Sequence, residues 1–287
     1  QKPENDVFQA GRVPVGEPLI VLHANADQTW FFVQTRTQRG WVRAEHVSLM
    51  EKGSGVSYLE ETEFLVVTAP SVTLEPDPYS EELSGVTLYM GTRLLLYSDG
   101  EAVEEYGNRS TAGCYVVKYP TVDRFGYLEY QPLLIPMNED VHIGYLPYTA
   151  ENLIRQAMKL TGRRFAENRT GGGRDSAAFV QDLYAPFGLF LPADTAEQRR
   201  IAAYDIDLER LTGAERTKAL AALEPGTLLF GDNRAYLYLG QDGKKPYAVA
   251  ALDEYYYEGA IGIKTGTTTP AGLCLVAACV KGDYTYY

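Results

Sequence analysis

Residues 171–192 read GGGRDSAAFVQDLYAPFGLFLP. Three glycines lead into Arg174, Asp175 and Ser176, and an apolar pattern then begins. Phe179, Val180, Leu183, Tyr184 and Phe187 recur at the spacing of one helix face, and Gly188 stops it. The spacing predicts a helix that starts at Asp175 or Ser176. Backbone N–H groups at a helix start favour negative charge, which suits a reactive anionic side chain. Ser176 therefore reads three ways: a working nucleophile, the replacement of one, or a residue that caps its helix.

The segments on either side give the setting. Upstream, TAENLIRQAMKLTG (149–162) puts Leu153, Ile154, Ala157, Met158 and Leu160 on one helical face, with Thr149 as N-cap and Gly162 as the closing glycine. Downstream, 201–224 reads as helical in part. Strands return in GTLLFG, AYLYLG, YAVAAL, AIGIKTG and GLCLVAACV. Helices followed by a sheet make residues 148–287 an α+β domain. The first 147 residues are β-rich instead. Short runs such as EPLIVLHANA, TWFFVQT and GWVRAEHVSLM predict a small barrel over 1–56, closed by a Gly- and Ser-rich linker, MEKGSGVSYLEE. A second barrel is expected over 57–147, from EFLVVTA, GVTLYM, TRLLLYS, GCYVVKYP and FGYLEYQ. The aromatic residues Trp30, Phe31 and Trp41 could stack on a ligand, but their alternation predicts that most are core.

Composition narrows the partners. The chain has 287 residues and a net charge of −12, with no Lys/Arg cluster to offset it, which argues against nucleic acid and anionic membranes. No apolar run reaches membrane-spanning length. The 22 tyrosines suit strands and half-exposed clefts for carbohydrate or peptide. Cys114, Cys274 and Cys279 form neither a disulfide scaffold nor a zinc spacing, and no metal or cofactor is expected.

Several motifs, in order, resemble the NlpC-type papain-like cell-wall peptidases that carry N-terminal bacterial SH3-like domains. LPYTAENLIRQAMKLTG resembles their leading helix, and RDSAAFVQDLYAPFGLFLPADTAEQ their R-D-C-S nucleophile helix with the following L-P-x-x-S/T-x-x-Q. LEPGTLLF resembles their L-x-P-G-D-L-L-F strand, RAYLYLG their H-x-x-x-Y-L/V-G strand, and TWFFVQTRTQRGWVRAEHVSLM the end of an SH3-like domain. The resemblance implies two SH3-like barrels followed by a papain-like domain. It also implies γ-D-glutamyl-diamino-acid endopeptidase ancestry, and stem peptides of peptidoglycan or a cell-wall protein as partners. It implies export to the cell envelope, with any signal peptide removed.

Measured against that pattern, the catalytic positions have changed. The cysteine falls on Ser176, the base histidine on Arg234 and the orienting histidine near Ala250, while Tyr-Gly-Trp-Gly-Gly becomes Phe165 to Arg169. Arginine cannot take a proton at neutral pH, and the only histidines are His23, His46 and His142, all upstream of this domain. The aspartate that contacts the amine of the stem peptide's N-terminal L-Ala is kept as Asp175, which would serve equally as an N-cap. The resemblance thus implies a non-catalytic binder of stem peptide or of a protein partner, with ligand contacts at Asp175, Arg234 and Phe165. An active hydrolase with another nucleophile and an adaptor with a vestigial cleft are the alternatives. Lys264-Thr265-Gly266 also resembles the K-T-G strand of D-alanyl-D-alanine carboxypeptidases. That chemistry needs S-x-x-K, and no serine here has a lysine three residues later.

Overall fold

The structure is a computed structural model that describes residue 9 and residues 11–98, 104–231, 233–243, 245–252, 279–281 and 284–286. The fold is α+β, and the chain divides into two compact units. A β-rich unit comprises residues 13–146 and 185–190, and a helical unit comprises 1–12, 147–184 and 191–287. Among the described residues no helix is long and apolar enough to cross a membrane.

The β-rich unit opens with a three-stranded antiparallel sheet of β1 (Ile20–Ala24), β2 (Trp30–Gln34) and β3 (Arg39–Arg43), in that order. Alternation puts Phe31 and Val33 on one face of β2 and Trp30 and Phe32 on the other. Val33 is 1% exposed, whereas Trp30 is 39% and Trp41 49% exposed. The expectation that most of these aromatics are core is thereby corrected: Phe31 shares the inner face with Val33 and is half-buried, and the two indoles lie on the outer face.

The Gly- and Ser-rich segment expected as a linker is helix α1 (Lys52–Glu60). Gly53 and Gly55 weaken its intrinsic helix preference, so tertiary anchors hold it. The Tyr58 hydroxyl donates to the Gly16 carbonyl at 2.6 Å, and the Arg93 guanidinium donates to the carbonyls of Tyr58 and Glu61. Arg93 is buried, and its guanidinium lies 4.3 Å from the ring centre of Phe64.

Next come β4 (Phe64–Val67), the hairpin of β5 (Ser71–Thr73) with β6 (Thr87–Tyr89), β7 (Arg93–Leu96) and the hairpin of β8 (Glu105–Tyr106) with β9 (Arg109–Ser110). The long strands β10 (Cys114–Val122) and β11 (Leu128–Pro136) and the short β12 (Val141–Ile143) complete the unit. β11, β10, β7, β4 and β12 form a five-stranded antiparallel sheet in that order. Leu65, Val67, Leu94, Val117, Leu133 and Ile135 fill its core together with Val72 and Leu88 from the β5–β6 hairpin. Within this unit Leu49, which follows the first sheet, forms a parallel bridge with Tyr127.

In the helical unit, α2 (Ala150–Lys159) starts where its N-cap predicts: the Thr149 hydroxyl accepts the Asn152 N–H at 3.2 Å. Leu153, Ala157 and Leu160 are buried as expected, but Met158 is 38% exposed and Gln156 is buried instead. α3 (Ser176–Tyr184) buries all of its side chains except Gln181, as befits a central helix. α4 (Thr195–Arg200) and α5 (Gly213–Ala221) follow, the latter with a capping box between Thr212 and Glu215. The strands β13 (Leu228–Gly231), β14 (Arg234–Asp242) and β15 (Lys245–Val249) form an antiparallel sheet in that order. β16 (Cys279–Lys281) pairs with β17 (Tyr284–Tyr286).

Candidate functional site

The first turn of α3 and the adjoining ends of β14 and β15 gather the positions singled out in the sequence. Asp175 takes the cap: its Oδ1 accepts the Ala178 N–H at 2.8 Å, satisfying one of the orphan donors of the first turn. Ser176, the first helical residue, has another partner. Its hydroxyl oxygen accepts the N–H of Ala235 at 3.2 Å, and the side chain is buried. Helix α3 is thereby fastened to β14 one residue beyond Arg234, which is half-buried at the strand's start. Val249 pairs with Leu237, so the buried Ala250 continues β15 towards the same end of the sheet. Phe165 forms a parallel bridge with Arg174 and so stands beside the residue that precedes Asp175.

The chemistry available there follows from these partners. Ser176 presents an oxygen already engaged as an acceptor. The helical unit contains no histidine, because His23, His46 and His142 all belong to the β-rich unit. Arg234 supplies positive charge but no proton acceptor. The stretch 253–259 and Lys264, Thr265 and Gly266 lie outside the described residues.

A buried charge cluster supports the site from behind, and sequence reasoning missed it. Asp182 Oδ2 lies 2.6 Å from Arg174 Nε, and its Oδ1 lies 2.6 Å from Arg169 Nη2; Arg12 Nη2 is 3.7 Å away. Burial alone would push the Asp182 carboxyl up. The guanidinium groups of Arg169 and Arg174, with Arg12 behind them, outweigh burial and hold it down at about 2. Arg169 adopts φ +61°, a left-handed conformation that favours glycine, and its Nη2 also donates to Gln181 Oε1 and to the Ala178 carbonyl. The signal in the sequence was a lone acid, Asp182, within the apolar run of α3.

The L-P-x-x-T-x-x-Q stretch has an equally local role. Gln198, buried on α4, donates to the carbonyls of Ala177 and Pro192, and Asp194 caps α4 through the N–H groups of Ala196 and Glu197. Gln181 donates in turn to the Leu191 carbonyl. The first turn of α3 is therefore held by its own cap, by β14 and by α4.

Residues 4–43 match the family model of the SH3 domain of SH3b1 type. Among solved structures, a novel NlpC/P60 endopeptidase from Photobacterium damselae subsp. piscicida is similar, with a TM-score of 0.71 and 17% identity. The match covers 96% of this chain and 58% of that one, so the chain spans little more than half of its relative. An NlpC/P60 family protein from Bacillus cereus ATCC 10987 is also similar, with a TM-score of 0.51, 21% identity and coverage of 79% and 69% of the two chains. No curated protein matches the chain in sequence. The chain thus joins an SH3b1-type domain at its N-terminal end to the fold of the NlpC/P60 endopeptidases.

Proposed function

We propose that this chain is a cell-wall-associated protein that holds a peptidoglycan stem peptide in its helical unit without cutting it. The observation that carries the reading is the state of Ser176. Its hydroxyl oxygen serves as acceptor for the Ala235 N–H, in a unit with no histidine to activate it. The scaffold around that position is intact, with cap, strand and α4 all in place, which favours retained recognition over decay of the site. In this reading Asp175 contacts the ammonium of an N-terminal L-Ala, Arg234 pairs with the D-Glu carboxylate, and Phe165 flanks the ligand. The three domains, 1–56, 57–147 and 148–287, belong to an exported protein of the cell envelope, and a protein partner of the wall is the second occupant for the cleft.

Calorimetry with L-Ala-γ-D-Glu-diaminopimelate and its N-acetylated form tests the reading. Binding of the free peptide and its loss on acetylation are expected. Equal affinity for both, or no heat from either at millimolar concentration, would leave Asp175 as a helix cap alone.

A further inference from the structure

The β-rich unit holds a small hollow that the peptide reading leaves unused, and two turns build it. In Pro14–Glu17 the Glu17 N–H donates to the Pro14 carbonyl at 3.2 Å, and Gly16 adopts φ +75°, a conformation that favours glycine. In Thr35–Gln38, which joins β2 to β3, the Thr35 N–H donates to the Gln38 carbonyl at 2.9 Å, and the turn carries Arg36. Pro14, Val15 and Phe190 give the hollow apolar walls, and Glu17, Arg36 and Arg93 give it charge. All of these residues belong to the one unit. The hollow admits little more than one water-sized group, so it fits the head of a ligand and leaves the rest outside.

The charged groups differ in what is already engaged. Arg93 donates through both Nη atoms to the carbonyls of Tyr58 and Glu61, between the rings of Tyr58 and Phe64. Arg36 is held instead by the Phe190 ring, 4.2 Å from its guanidinium carbon. Its Nε faces Glu17 Oε1 at 3.7 Å, too long for a hydrogen bond. Among the described residues the guanidinium makes no hydrogen bond, and the side chain is 24% exposed. Its two Nη groups thus form a fixed fork of the kind that grips a carboxylate. Glu17 is mostly buried, and burial pushes its carboxyl above the ordinary 4.5; the Arg36 guanidinium and backbone N–H offset only part of that. Among the described residues, Arg93 of β7 and the Tyr58 hydroxyl of α1 are the other charged or titratable groups around it. A second carboxylate on Arg36 would therefore meet a Glu17 that takes up a proton and donates it in a hydrogen bond. We infer that this hollow binds a small carboxylate, its oxygens gripped by the Nη groups of Arg36 beside Glu17 and its short tail along the apolar rim. A short-chain acid and the C-terminal residue of a peptide share that chemistry.

Calorimetry on the full chain with propionate, N-acetylalanine and N-acetylalanine amide tests the inference. At least one of the acids should bind in the millimolar range, and the amide should not. A bound anion raises the Glu17 carboxyl further, so affinity grows as the pH falls through the bound-state value towards the free one. Between about pH 7 and about pH 5 the gain should reach up to about tenfold per pH unit, the limit for one proton taken up. Glu17→Gln should bind more tightly than the parent at neutral pH and lose that dependence. Arg36→Gln, checked for folding by its unfolding curve, should weaken binding roughly tenfold or more. Equal affinity for the two acids assigns the hollow to a free short-chain acid, and tighter binding of N-acetylalanine assigns it to the end of a peptide. Four results would overturn the inference: no binding of either acid at high millimolar concentration, an amide that binds as the acids do, Arg36→Gln binding like the parent, or an affinity independent of pH. None of them bears on the stem-peptide reading, because N-acetylalanine lacks the free amine that Asp175 would meet.

Discussion

Replacing Asp182 by asparagine would leave the guanidinium groups of Arg169 and Arg174 buried against a neutral amide. A charge stranded in this way costs about 3–5 kcal/mol, because neither solvent nor a counter-ion repays its desolvation. Denaturant unfolding of Asp182→Asn should show a loss of that size; a change within about 1 kcal/mol would mean that the arginines find other partners. The same carboxylate predicts a pH dependence. Its folded-state value is lowered from 3.8 to about 2, so its contribution is complete above 3.8 and is lost as the pH falls through about 2. Acid titration of stability should therefore show a component between those values that Asp182→Asn lacks. Ser176 acts at the same scale. Its oxygen satisfies a buried amide, so Ser176→Ala should cost about 1–3 kcal/mol whatever the residue does for a ligand.

At the scale of elements, α3 depends on Asp175 for its start, and the cap can be separated from any contact with a ligand. Asparagine caps a helix nearly as well as aspartate, whereas alanine loses about 1 kcal/mol. Asp175→Asn should keep the unfolding midpoint and lose affinity for the free-amine peptide, while Asp175→Ala should lose both. If Asp175→Asn binds as the parent does, its charge has no part in recognition. The helix starts that could be read from the sequence were those with a cap ahead of an apolar period; the stop of α3 was not, since the helix ends at Tyr184, before Pro186, and a separate turn over Ala185–Phe187 leads to Gly188. α2 begins at Thr149 and α3 at Asp175–Ser176, and the predicted face of α3 is buried throughout. α1 was not legible, because what orders Gly53 and Gly55 is the distant pair Tyr58–Gly16 and the guanidinium of Arg93. Gln156 took the buried place on α2 expected for Met158, since periodicity assigns a face but not its edges. The candidate positions Ser176, Arg234 and Ala250 were legible as motifs. The cluster of Arg12, Arg169, Arg174 and Asp182 was not, because only folding brings residue 12 to residue 182.

At the scale of the whole molecule, the chain joins an SH3b1-type sheet with an exposed aromatic face to an NlpC/P60-type scaffold in which the serine at the helix start is tied to a strand. The proposed function is binding without cleavage, and it stands on the absence of turnover at residue 176. The direct measurement is chromatographic detection of products from L-Ala-γ-D-Glu-diaminopimelate incubated with the purified full chain, beside Ser176→Ala verified as folded. Both proteins should release product no faster than buffer does. Turnover by the parent chain that disappears in Ser176→Ala would contradict it and make Ser176 a working nucleophile.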